Sequence, residues 1–538
     1  MKSKLLSIFS LLFFTVMFGV SAQGDTLTIG LASEPTSTDP HYHDLSPNNS
    51  LTSHIFESLL MFDANFRLTP GLATSVETTD GKTWIINLRK GVKFSNADPF
   101  TADDVIFTFC RIMNNPTTIS GAFQSAIKNF KTVEKVDDYT LKITTKVPEP
   151  LLREELAKIL IISDSILTHD KISFDLEGSC GITGEWPGLN KFNNGEMAIG
   201  TGAYKLVKFT KGSSIELVRN EKYWGKKPDW SSVKFVPVPS GGPRLAGLLS
   251  GDYDVIEKPS ARDLKKLKED PKFSITVKPS SRVIFLQMDV FREDSPFIKT
   301  DNGKNPFMDV RVRQALSMAI DRKTIVKRIM DGVAEVAPQY VPKEMFGAIP
   351  NPEELPFDPK KAKQLLADAG YPNGFELTLS ATNDRYINDS QIAQAVAQFL
   401  TRVGIKTDVD AMTRSIFFSR RRNQEFSFAM GGWGSSVGGA AHFFRQYATS
   451  YNKPRGLGSS NYGRWSDSAF DKPLIEAIET VNEAKRSDLL QEAGKVILKE
   501  MPFIPLHFES TIWASKRGIE VEGRMDQATL AMFIKKVK

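Results

Sequence analysis

A chain of 538 residues with 41% apolar and 25% charged residues is too long for one hydrophobic core and too ordinary in composition for long disordered stretches. Its formal charge of +6 is spread along the sequence, which excludes the concentrated basic face of a nucleic-acid binder. Lys2 and Lys4 precede an apolar run from Leu5 to Val20, and Val20-Ser21-Ala22 puts small residues at a cleavage position. A signal peptide over 1–22 is therefore expected, with the mature protein free in a periplasm, since no cysteine near the cut offers a lipid-attachment thiol and no later stretch is apolar enough to span a bilayer.

In chain order, Leu27, Ile29 and Leu31 alternate with polar residues and predict an opening strand. His41-Tyr42-His43 follows; two imidazoles two apart suggest a metal pair, but no third ligand stands at suitable spacing, so a loop is expected, with His41 and Tyr42 as candidate ligand contacts. Trp84 to Leu88 predicts a strand, and Thr101 with Asp104 three on predicts a capping box opening a helix. Cys110 lies in that helix's apolar pattern with Val105, Phe109 and Ile112, so it reads as a buried free thiol, with a disulfide to Cys180, the one other cysteine, as the alternative. The stretch 181–202 is loop-like, and Tyr204 to Val218 predicts a hairpin. Val312, Ala315, Leu316, Ala319 and Ile320 mark a helix; Asp358-Pro359 starts another that Gly370 ends.

Residues 375–444 carry the clearest pattern. Phe375, Leu377 and Leu379 alternate, as do Phe426, Phe428 and Met430, and Ile405 to Met412 is a less regular strand between them. Ile392, Val396, Phe399, Leu400 and Val403 share one helical face that Gly404 closes, and a shorter helix spans Arg414 to Arg422. Strand, helix, strand, helix, strand predicts a parallel sheet, whose ligands sit beyond the carboxyl ends of the strands. Two loops leave there, 381–388 and 431–439, making Arg385, Tyr386, Gly432, Trp433, Ser435 and Ser436 candidate ligand contacts. The Arg420-Arg421-Arg422 run reads as a solvated helix end. Helices over 466–480 and 485–499 and a closing strand 503–508 complete the chain. No Gly-x-Ser-x-Gly elbow, His-Glu-x-x-His or phosphate loop occurs, so no enzyme and no cofactor are expected.

The segment 94–105 resembles the signature of extracellular solute-binding proteins of the peptide and nickel class, family 5, which serve ABC importers; 200–204 with 220–224, 309–321 and 361–370 are similar to further motifs of that family, in the same order. The resemblance implies an α/β fold of the type II periplasmic binding protein kind. Two clamp lobes, 23–61 with 197–281 and 508–538, and 282–507, would close about a hinge near Ser281 and Phe508, beside a small lobe over 62–196. It implies a monomer that hands a peptide or peptide-like solute to a membrane permease. Dipeptide-binding relatives carry an Asp after the loop Trp to hold the ligand's ammonium; here Ser436 stands at that place, and no Asp or Glu occurs from 426 to 448. Arg385 matches the residue that takes the ligand's carboxylate. A ligand with a carboxylate but a blocked or displaced amine, such as an opine, is therefore expected, unless Asp39, Asp44, Asp384 or Asp389 substitutes. Nickel carriers of the family use an imidazole near this loop, which keeps His442 as a metal candidate, with peptide-binding chaperoning as another alternative.

Overall fold

The computed structural model describes residues 25–115, 122–169, 171–175, 180–435 and 437–537. The expected signal peptide over 1–22 and the candidate Ser436 lie outside the described residues. No helix among the described residues is long and apolar enough to cross a membrane.

Two long strands, Phe273–Met288 and Phe503–Lys516, organise a twelve-stranded mixed sheet. They pair antiparallel from Phe273 opposite Lys516 to Gln287 opposite Phe503, with the register interrupted between Pro279 and Val283. Pro279 has no N–H to give a ladder, and such residues sit at bulges. On one side of the interruption the ladder continues through Val255–Glu257 to Thr26–Leu31. On the other it continues through Phe428–Trp433. The closing strand thus runs eight residues past its expected end, because Glu509, Ser510, Thr511 and Ser515 are polar in sequence yet buried in the sheet. Their polarity hides the strand; in the fold the Glu509 carboxylate accepts the Ile387 N–H at 3.0 Å and the Ser515 hydroxyl donates to the Ile519 carbonyl at 2.8 Å.

The central unit forms as its periodicity predicts. Phe375–Thr382 pairs in parallel with Ile405–Met412 over its whole length and touches Phe428–Trp433 in parallel at Ser380 and Ala429. Helix Asp389–Arg402 buries Ile392, Val396, Phe399 and Leu400 against this sheet, and Gly404, at φ 103°, reverses the chain into the next strand.

A separate four-stranded antiparallel sheet of 73–78, 83–88, 140–145 and 130–137 packs with helix Ala102–Asn114. That helix opens with the capping box expected at Thr101 and Asp104. The free-thiol expectation for Cys110 is wrong: Cys110 is bonded to Cys180, 70 residues on, tying the helix to the loop that follows. Spacing alone could not reveal the pair, since the chain between them folds back through a strand pair. Closing a loop of that length restricts the unfolded chain by about 4 kcal/mol. The double variant Cys110→Ser, Cys180→Ser is expected to lose about 2–4 kcal/mol in urea unfolding; an unchanged midpoint would contradict it.

Three histidines are buried with pKa values held well below the ordinary imidazole range. Burial lowers the His54 pKa to about 4 against the upward pull of the Ser50 and Leu51 carbonyls, and burial alone lowers His507 to about 4. His41 falls to about 3, through burial first and Arg111 second. Below pH 6.5 the unfolded chain takes up protons at these sites while the folded chain does not, so stability is full above that pH and falls as pH drops toward 4. Urea midpoints measured from pH 7 to pH 4 are expected to decline steadily, each site contributing up to about 1.4 kcal/mol per pH unit. His507→Gln should flatten the decline; an unaltered slope would show that His507 gains its proton when folded.

Candidate functional site

Strands Thr26–Leu31 and Val255–Glu257 run parallel to each other, and Phe375–Thr382 runs parallel to Phe428–Trp433. The loops leaving their carboxyl ends gather at the interruption in the two long strands. Glu257 accepts the Ala32 N–H at 2.9 Å, the Lys258 N–H donates to the Ile512 carbonyl at 2.7 Å, and the Ile387 N–H donates to Glu509 at 3.0 Å. Ser435 is held against the break itself: its N–H donates to Ser281 Oγ at 3.1 Å, and that hydroxyl reaches the Ser435 carbonyl at 3.3 Å.

Beside this junction is a cavity of about 680 Å³, in the range of small-molecule sites. Residues of 44–69 and 522–533 form one wall and residues of 433–446 another, with Arg282 between them and Lys158 from the small four-stranded unit. Trp433 and Ser435 lie on the wall, as the sheet-edge rule predicts. Trp433 is also packed: only 8% exposed, it meets Phe443 edge to face at 5.4 Å and donates its indole N–H to Gln446 at 3.2 Å. The ring is thereby fixed before any ligand arrives.

Gly432 and Tyr386 act on each other rather than on the cavity. The Tyr386 hydroxyl accepts the Gly432 N–H at 2.9 Å and lies 3.1 Å from its carbonyl, and a Cβ at 432 would come within 2.6 Å of the tyrosine ring. Glycine is needed there so that the two loops can lock together. Arg385 is exposed, its guanidinium 5.2 Å from the Tyr386 ring centre, and it is not part of the cavity wall. Asp389 pins this loop by accepting the Arg385 and Tyr386 N–H groups and the Thr382 hydroxyl.

The expected contacts His41 and Tyr42 are not on the cavity wall either. His41 is 1% exposed, with Nε2 2.8 Å from the Leu160 carbonyl and Nδ1 2.8 Å from Arg111. Arg111 in turn makes a bidentate pair with Asp39 at 2.9 and 2.6 Å. The loop after the first strand turns inward to satisfy this charge pair, which a linear reading of His-Tyr-His does not reveal. Tyr42 is half-buried against the His43 ring.

His442 does border the cavity, 3.4 Å from Glu155, and burial lowers its pKa while Glu155 pulls it up. Burial would raise the Glu155 carboxyl, but Lys158 at 3.1 Å and His442 bring it well below the usual carboxylate range. Among the described residues no group of three or more His, Cys, Asp or Glu could hold a metal ion.

The residue that sequence reading missed is Arg282. It lines the cavity with its side chain 14% exposed, donates to Gln527 at 3.1 Å and stands 3.5 Å from Glu509. Burial lowers its pKa, Glu509 raises it, and Arg385 lowers it further, so a second cation faces the same junction. In sequence Arg282 is one charge before an apolar strand, and nothing local sets it apart.

A model of the bacterial extracellular solute-binding proteins, family 5 middle region, matches residues 67–455. The chain is 29% identical to heme-binding protein A of Haemophilus influenzae, over 85% of this chain and 82% of that one. It is 28% identical to the dipeptide-binding protein of Escherichia coli, over 94% and 92%. Among solved structures, HbpA2 from Haemophilus parasuis superposes with a TM-score of 0.79 at 24% identity, covering 96% of this chain and all of that one. The periplasmic binding protein DppA from Helicobacter pylori in complex with peptide STSA superposes with a TM-score of 0.73 at 22% identity, covering 96% and 98%.

Proposed function

The chain belongs to the bacterial extracellular solute-binding proteins of family 5, and from that premise we propose that it captures a small peptide or peptide-like solute in the periplasm for an ABC importer. The observation that carries this reading is the cavity whose facing walls come from opposite sides of the break in the two long strands. Residues 23–61, 197–281 and 508–538 form one clamp, 282–507 the other, and 62–196 a small lobe whose contribution to the cavity includes Phe62, Asp63, Phe66 and Lys158.

Rotation about Ser280–Arg282 opens the walls, and a ligand touching both favours the closed form, a motion familiar from periplasmic binding proteins. Moving such an equilibrium from 1:99 to 99:1 takes about 5.5 kcal/mol of differential affinity, so both walls must contribute. The ligand's carboxylate lies at Arg282, with Arg385 adding positive potential from the neighbouring loop. The closed monomer is what the permease receives.

Mass spectrometry of small molecules released when the purified protein is denatured tests this directly. A carboxylate-bearing solute of peptide size is the expected result. A protein that releases none, and shows no saturable calorimetric binding of di- to pentapeptides or opines, would overturn it.

A further inference from the structure

A peptide-like ligand with its carboxylate at Arg282 has a second charge to place, and the loop that would normally supply an acid contains none between 426 and 448. Three of the four acids on other loops are committed. Asp39 is locked to Arg111, with both side chains fully buried. Asp389 is filled by two backbone N–H groups and a hydroxyl. Asp384 is exposed, accepts the Arg414 N–H at 2.7 Å and is not on the cavity wall. Asp44 alone among the four borders the cavity.

The other carboxylates on that wall are engaged or hydrated. Glu57 takes the Thr201 and Tyr223 hydroxyls and the Trp224 indole N–H at 2.7–2.9 Å. Asp63 caps the Asn65 and Arg67 N–H groups, and Asp526 pairs with Arg524 at 2.6 Å. Glu522 is exposed, where water already satisfies its charge. Asp44 is half-buried and accepts one hydrogen bond, from Asn49 Nδ2 at 2.8 Å, with no ion pair among the described residues. That bond aims the carboxylate without neutralising it.

We propose that Asp44 receives the ammonium of a zwitterionic ligand whose carboxylate is held at Arg282. The proposal rests on the solute-binding reading and reverses the expectation of a blocked amine. The acid has moved to the opposite clamp from the 433–437 loop, so the two charges of one ligand tie the first clamp to the junction. The ligand class is free-amine peptides and amino-acid conjugates; N-acylated compounds are rejected because they leave Asp44 without a counter-charge.

The test is calorimetric titration with di- and tripeptides carrying free termini, and with the same peptides N-acetylated. The wild-type protein is expected to bind the free-amine set at least about tenfold more tightly. Asp44→Asn, which keeps the Asn49 contact, should erase that preference by weakening the free-amine set alone; Asp44→Glu should retain it, and Asp384→Asn, off the cavity wall, should leave it unchanged. Loss of the preference in Asp384→Asn, or its survival in Asp44→Asn, overturns the assignment. Wild-type binding that depends on the carboxyl terminus but ignores acetylation sinks Asp44 while sparing the solute-binding reading. Failure to bind either set sinks both.

Discussion

Arg282→Ala is expected to weaken binding of a carboxylate-bearing peptide by about a hundredfold, or roughly 3 kcal/mol, the scale of a hydrogen-bonded charge lost from a desolvated site. The guanidinium sits where the two long strands break register, its side chain 14% exposed, between Glu509 and Gln527. Once it is removed, a ligand carboxylate would enter beside Glu509, whose side chain is 6% exposed, with no cation on the wall between them. The fold should survive, because Glu509 keeps the Ile387 N–H and the strand ladder keeps its pairs. Titrating the same peptides with amidated carboxyl termini isolates the charge: amidated peptides should bind the variant and the wild type alike. Arg385→Ala is expected to cost less, about tenfold, since that guanidinium is exposed over Tyr386 and acts through its field. A larger loss at Arg385 than at Arg282 would show that the carboxylate sits on the outer loop.

This ordering differs from what the sequence alone suggests, and the reason is physical. Periodicity reports which face of an element is buried, so Ile392, Val396 and Leu400 were legible, as were the caps at Thr101 and Asp358. The topology rule for parallel strands points to the loop of Trp433 and Ser435, and both border the cavity. It did not set the direction of loop side chains: Asp389 and the Tyr386–Gly432 lock turn Arg385 away from the wall. Arg282 was invisible because its partner Gln527 is 245 residues distant and the strand break that exposes it is a property of pairing. The inward turn at His41 was hidden for the same reason, its meaning depending on Arg111 in another unit.

The buried pair of Asp39 and Arg111 carries a large expected stability effect. Asp39 and Arg111 have fully buried side chains and a bidentate geometry, with the His41 ring accepting a further N–H from the same guanidinium. His41 is held neutral, donating from Nε2 to the Leu160 carbonyl and accepting at Nδ1. Arg111→Ala would leave the Asp39 carboxylate inside the protein without its guanidinium partner, and would strip Nδ1 of its donor. The expected loss is about 3–5 kcal/mol in urea unfolding, enough to threaten a typical domain. Arg111 also lies 4.6 Å from the centre of the Phe192 ring, so truncation removes packing as well as charge. The paired variant Asp39→Asn, Arg111→Met separates the two contributions: it removes both charges and fills part of the space, and should recover at least half of the loss. If the double variant is no more stable than Arg111→Ala, the cost lies in the cavity beside Phe192 rather than in the stranded charge. Peptide binding at Arg282 should be unchanged in the double variant, because neither Asp39 nor Arg111 is on the cavity wall.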